Sequence, residues 1–179
     1  MDPTHFIDEL IAREGGYVAR SDDRGGPTRY GITRAAAAAH GWHGDMARLP
    51  RELAARIYHA DYWVRPGLGR VAELAPEVAG ELFDTGVNMG PAAAAGFLRR
   101  ALNALNRAAS DYPDIAASGA IDDAAIAALR AFLRVRGPAG ETVLVRALDA
   151  LQGERYMALA EKRPANEAFL YGWLANRVG

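Results

Sequence analysis

The sequence predicts an α+β fold, predominantly α-helical, with one small β-hairpin near the N-terminus. Apolar residues recur at helical spacing through nearly all of the chain beyond residue 33. Between Tyr17 and Thr33, aromatic and β-branched residues cluster on both sides of a glycine-rich turn. Proline and glycine fall between the helical stretches, at positions that cannot easily continue a helix. With 179 residues, half of them hydrophobic and 24% charged, the chain has the length and composition to bury a real core.

Taken in order, Asp2 is placed to cap a first helix, and Pro3 takes its first position, where a missing N–H costs nothing. Phe6, Ile7, Leu10 and Ile11 make the apolar stripe, and Gly15-Gly16 stops it. The hairpin turns at Asp22-Asp23-Arg24-Gly25-Gly26-Pro27. Thr33 then caps a short alanine-rich helix that runs to about His40 and ends at Gly41. Later helices are read over 50–61, 76–89, 91–106, 122–135, 141–162 and 165–177, with breaks at Pro66-Gly67, Gly90-Pro91, Pro113, Gly137-Pro138 and Pro164. The 107–121 stretch is the longest loop. It competes with Gly90-Pro91 as an internal boundary, and the latter divides the chain into 1–90 and 91–179, read as parts of one globule.

Several chemistries are set aside at this level. A formal charge of -1 and the lack of a basic run argue against a nucleic-acid partner. Without cysteine there is no disulfide, thiolate nucleophile or thiolate zinc site. The N-terminus lacks a basic region followed by an apolar run, and no stretch of about 20 apolar residues appears, so synthesis in the cytoplasm without a signal peptide or membrane span is expected. His40 and His43 have ligand-like spacing near Asp45, yet no helical HExxH supports them, so neither a metal nor another cofactor is expected. GxSxG elbows, Walker loops and dinucleotide fingerprints are absent from the sequence.

The sharpest feature is the position of Glu14. Counting by fours from Phe6 through Leu10 reaches it, so its carboxyl continues the apolar stripe instead of joining the solvent face. It also lies in the last turn, at the negative end of the helix dipole. Partial burial and the dipole both favour the protonated form, which a general acid in glycoside cleavage requires. By position alone, an ordinary helix-end residue that swings outward or pairs with Arg13 or Arg20 is the commoner outcome. Downstream, Asp23 in the turn and Thr28 in the second strand supply what such chemistry needs next: a group opposite the acid and a hydroxyl to orient water. Taken singly, each is also an ordinary turn residue or strand former.

The run Glu14-Gly15-Gly16-Tyr17, continued by Asp23-Arg24-Gly25-Gly26-Pro27-Thr28-Arg29-Tyr30-Gly31-Ile32-Thr33, resembles the signature of glycoside hydrolase family 108, the EGGY-type N-acetylmuramidases. Phage endolysins and bacterial secretion-associated muramidases belong to that family. Asp61-Tyr62-Trp63 and the 83–90 run resemble its later segments, and Phe169-Leu170-Tyr171-Gly172-Trp173-Leu174 resembles the helical region regarded there as peptidoglycan-binding. The resemblance implies a lysozyme-like fold with the hairpin beside an active-site cleft. It implies Glu14 as the catalytic acid, and, by similarity to phage-type lysozymes, Asp23 and Thr28 as its partners. Asp and Thr stand one residue further apart than in those lysozymes; Asp22 restores the spacing, so Asp22 and Asp23 both stay open.

Tyr30, Tyr62 and Trp63 offer rings on which sugars stack, with core packing at least equal for Trp63. Asp84 and Asn88, four apart on one helical face, are candidates to bind substrate or back the cleft, or form a plain surface pair. Trp173 reads as core. The expected activity is hydrolysis of the β-1,4 bond between N-acetylmuramic acid and N-acetylglucosamine by a monomer. It would act on the cell wall after release by a holin or a secretion system. A lytic transglycosylase using the same acid and a non-catalytic peptidoglycan-binding protein are the alternatives. Residues 1–92 carry 10 Lys+Arg against 13 Asp+Glu and residues 93–179 carry 11 against 9, so the C-terminal half is the better match for an anionic wall.

Overall fold

The computed structural model describes residues 2–18 and 26–178. The chain divides into two compact units, Met1–Pro66 and Gly67–Gly179. The first opens with α1 (Thr4–Glu14). Pro3 (φ −77°, ψ 3°) is not yet helical, so the helix starts one residue later than the sequence predicts, and Asp2 Oδ1 accepts from Thr4 N–H at 3.0 Å from outside the cap. Ile7, Leu10 and Ile11 are buried and pack against α3 (Arg51–Tyr58), which buries Leu53, Ala54, Ile57 and Tyr58 in return.

Beyond Tyr58 the helix widens into a π turn over His59–Val64, where Arg65 N–H reaches Ala60 O at 3.0 Å, a five-residue step. On a regular helix the line Ala54, Tyr58 would carry Tyr62 into the core; the extra residue gives that place to Trp63. Trp63 is buried and stacks on Phe6 with centroids 6.1 Å apart, which leaves Asp61 and Tyr62 half-buried at the edge.

Where the sequence predicts one hairpin, the structure has a three-stranded antiparallel sheet of β1 (Tyr17–Val18), β2 (Thr28–Arg29) and β3 (Ile32–Thr33), in that order. Strands β2 and β3 pair Thr28 with Thr33 and Arg29 with Ile32, so only Tyr30 and Gly31 remain between them. Both have positive φ, 53° and 74°, which is the two-residue turn whose twist matches antiparallel strands. Tyr30 therefore sits in a turn, not a strand. As the sequence predicts, Thr33 Oγ1 caps α2 (Arg34–Ala39) by accepting from Ala36 N–H at 3.2 Å.

Among the described residues, the regular structure of the second unit is all helical. It consists of α4 (Leu68–Ala72), α5 (Pro76–Met89), α6 (Pro91–Ala104), α7 (Asp123–Arg136), α8 (Pro138–Lys162) and α9 (Glu167–Arg177). Helix α4 is too short to display a period, and the sequence reading passes over it. Helices α5, α6 and α8 begin with proline at the first helical position, and Asp122 caps α7 through Ala125 N–H at 3.0 Å. The long predicted loop is real and is held from below by two buried polar side chains. Arg99 donates to Ala120 O at 3.0 Å and Ala116 O at 2.7 Å, and Asn106 donates to Tyr112 O at 2.6 Å. Among the described residues, no helix is long and apolar enough to cross a membrane.

Candidate active site

Glu14 is the last residue of α1, which ends because Gly15 adopts φ 72° while its N–H still reaches Ile11 O at 3.2 Å. One turn beyond buried Leu10, the Glu14 side chain is half-buried, as its place on the stripe predicts. It lies against the β2–β3 turn. A methyl group placed on Gly31 would stand 3.1 Å from both Cγ and Oε2 of Glu14 and 2.5 Å from the Tyr58 hydroxyl. Only a residue without a side chain lets the backbone come this close.

The same turn carries Tyr30. Its carbonyl accepts from the Tyr58 hydroxyl at 2.8 Å, and its own hydroxyl accepts from Arg29 Nη2 at 3.3 Å. The Arg29 guanidinium lies 5.0 Å from the Tyr30 ring centre and also donates to Ala47 O, so the ring has a cationic support on one side. Tyr62 leans on Tyr58, centroids 5.7 Å apart and planes tilted by 47°. Burial first, and then the neighbouring Asp61 charge, pushes its phenol up from the ordinary value, so its hydroxyl stays a donor. Asp61 is held by His40 at 2.9 Å and Arg65 at 3.1 Å.

In the first unit, Tyr58 thus meets both the Tyr30–Gly31 turn and the Tyr62 ring, and Glu14 lies against the same turn. Thr28 is half-buried in β2, two residues before the turn. Asp22 and Asp23 lie outside the described residues. Of the residues weighed as metal ligands, His40 is paired with Asp61 and Asp45 caps a short turn through Ala47 N–H at 2.9 Å.

Asp84 and Asn88 belong to the second unit and are joined to each other. Asn88 Nδ2 donates to the Asp84 carbonyl at 2.8 Å and to Oδ2 at 2.9 Å. Gln152 Nε2 of α8 also approaches Oδ2, at 3.3 Å, and Arg177 of α9 pairs with Oδ1 at 3.5 Å, so this carboxylate ties three helices together. Trp63 and Trp173 pack against other rings; Trp173 stacks on Tyr156 at 5.2 Å and Phe169 at 6.1 Å.

Sequence reasoning misses Tyr58, Gly31 as a contact of the acid, and the Glu81 carboxyl of α5. A signal for Tyr58 exists: a tyrosine at a core position of a helical stripe needs a partner for its hydroxyl. Burial, then the charge of Asp149, pushes Glu81 up to about 8, against a lowering hydrogen bond from Thr85.

The chain shows likeness to known proteins. The pattern described as Glycosyl hydrolase 108 matches residues 7–90, which hold Glu14, the sheet, the π turn and α5. Over that span the chain is similar to the glycosyl hydrolase 108 family. A second pattern, described as Predicted Peptidoglycan domain, matches residues 96–178, so the glycosyl hydrolase 108 segment and this one together account for nearly the whole chain. Among curated proteins none matches. Among solved structures, SagA of Brucella abortus is similar over 97% of this chain and 90% of that one, with a TM-score of 0.70 and 22% identity. That likeness carries the fold, an α+β, predominantly helical architecture.

Proposed function

We propose that the protein is a peptidoglycan hydrolase that cleaves the β-1,4 bond between N-acetylmuramic acid and N-acetylglucosamine, with Glu14 as the general acid. The observation that carries this reading is the half-buried Glu14 carboxyl at the end of α1, set against the bare backbone of Gly31 in a segment of glycosyl hydrolase 108 type. An acid fixed by packing can be held within hydrogen-bond reach of a glycosidic oxygen. Tyr30 and Tyr62 supply rings for the sugars, and Thr28 supplies a hydroxyl for the attacking water. Asp23, or Asp22 beside it, is the second carboxylate, acting on the opposite face of the sugar as nucleophile or base. Residues 91–179 hold the wall polymer, consistent with the peptidoglycan description of their match. Asp84 and Asn88 border that role from α5. Action on the wall requires release from the cytoplasm, through a holin or a secretion system.

The test is Glu14→Gln assayed on purified walls, with folding followed by circular dichroism. The expected loss is about 100-fold or more in the rate of new reducing ends, the usual size of a general-acid contribution. A folded variant with the wild-type rate overturns the assignment. The products separate the alternatives: reducing ends denote hydrolysis, 1,6-anhydro termini a transglycosylase, and retention of walls without fragments a binding protein.

A further inference from the structure

The turn against Glu14 is held in a conformation that a non-glycine residue rarely adopts, since Tyr30 has φ 53°. Tyr58 is what reaches it. Its side chain is buried among Leu53, Ala54 and Ile57 on α3, 2% exposed, where a phenylalanine would pack as well. What a phenylalanine lacks is the hydroxyl, which donates to Tyr30 O at 2.8 Å. The hydroxyl and the Glu14 carboxyl also meet the same bare face of Gly31, at 2.5 Å and 3.1 Å from where a methyl would stand. Phenol and carboxyl therefore both lie against the same turn.

We infer that Tyr58 is a positioning residue for Glu14, its hydroxyl holding the Tyr30–Gly31 turn in place against the Glu14 carboxyl. This rests on the reading of Glu14 as the acid. A carboxyl at a helix end has rotamers that swing it into solvent, and the turn blocks some of them by lying where the side chain would go. Without its hydrogen bond, the Tyr30 carbonyl turns toward water and the left-handed pair relaxes. The carboxyl then loses the wall it rests on. Proton transfer is sensitive to displacements of about 1 Å, so the consequence falls on the chemical step and not on binding.

The experiment uses the full chain on soluble glycan fragments, with wall lysis in parallel. Tyr58→Phe is expected to lower kcat about ten-fold with KM unchanged, the size of one misplaced catalytic contact. Replacing Tyr58 by 4-aminophenylalanine, which restores a donor on the same ring, is expected to recover most of the rate, something a packing role of the ring would not produce. Should Tyr58→Phe fail to fold, Gly31→Ala decides, because it pushes a methyl between hydroxyl and carboxyl and is expected to lower kcat selectively. Wild-type kcat in Tyr58→Phe, or no recovery with the amino analogue, overturns the inference, as does wild-type kcat in Gly31→Ala. Glu14→Gln run beside them keeps the two readings apart. If it is inactive while Tyr58→Phe is fully active, only the positioning role falls; if it is active, both fall together.

Discussion

At the scale of single residues, Tyr30 shows two demands in opposition. The two-residue turn it occupies favours Asn-Gly, because both positions have positive φ, and a tyrosine there is strained by about 1 kcal/mol or more. Against that, its ring stands over the Arg29 guanidinium, a contact worth about 0.5–1 kcal/mol, and its hydroxyl accepts from the same side chain. Tyr30→Asn removes strain and support together, so the stability change in a urea titration is expected to stay within about 1 kcal/mol. Activity on walls is expected to fall about ten-fold through loss of the stacking surface; an unchanged rate would show that sugars do not use this ring. Glu14 is legible from sequence because a count by fours along an apolar stripe reaches it. Tyr58 is not, since the partner that makes it more than a core aromatic arrives from a turn 28 residues earlier in the chain.

At the scale of elements, proline and glycine explain why so many helix boundaries are legible. Gly15, Gly90 and Gly137 all take positive φ at helix ends, and Pro76, Pro91 and Pro138 all open helices, so local covalent geometry fixes these points without help from packing. The π turn and β3 lack such marks. A five-residue step looks, in sequence, like the natural end of a stripe, and a two-residue strand has no period to read. The 105–122 connection has no regular structure and depends on side chains instead. Arg99, 3% exposed, meets two of its carbonyls and pairs with Asp122 at 2.5 Å, ordering the approach to α7. Arg99→Ala leaves those carbonyls without their donor and is expected to cost about 2–4 kcal/mol in urea unfolding. The rate per folded molecule should be unchanged; a loss below about 0.5 kcal/mol would mean that water replaces the guanidinium at no penalty.

At the scale of the whole molecule, the helical unit carries a polar seam within its packing. From α5 come Glu81, Asp84, Thr85 and Asn88; from α8, Asp149 and Gln152; from α9, Arg177. Thr85 and Gln152 are buried and hydrogen-bonded to each other at 3.1 Å, and Thr85 Oγ1 also meets Glu81 Oε1 at 3.1 Å. The sequence does not disclose the seam, because Glu81 and Asp149 lie on different helices and each reads as part of a solvated face until tertiary packing turns them together. Burial and the Asp149 charge raise the Glu81 carboxyl from 4.5 to about 8, whereas in the unfolded chain it titrates near the lower value. The native state therefore holds a proton that the unfolded state releases. Below the unfolded value both states are protonated and the seam carries no penalty; as pH rises from there to about 8 the native state is progressively disfavoured, and above that the penalty is complete. Glu81→Gln keeps the shape and a donor but cannot ionise. It is expected to gain on the wild type as pH rises from 5 to 8.5, by about 2–4 kcal/mol over the interval, read as a growing difference in unfolding midpoints at fixed ionic strength. Parallel pH curves for the two proteins would place the Glu81 carboxyl in water and remove the seam from the account of stability.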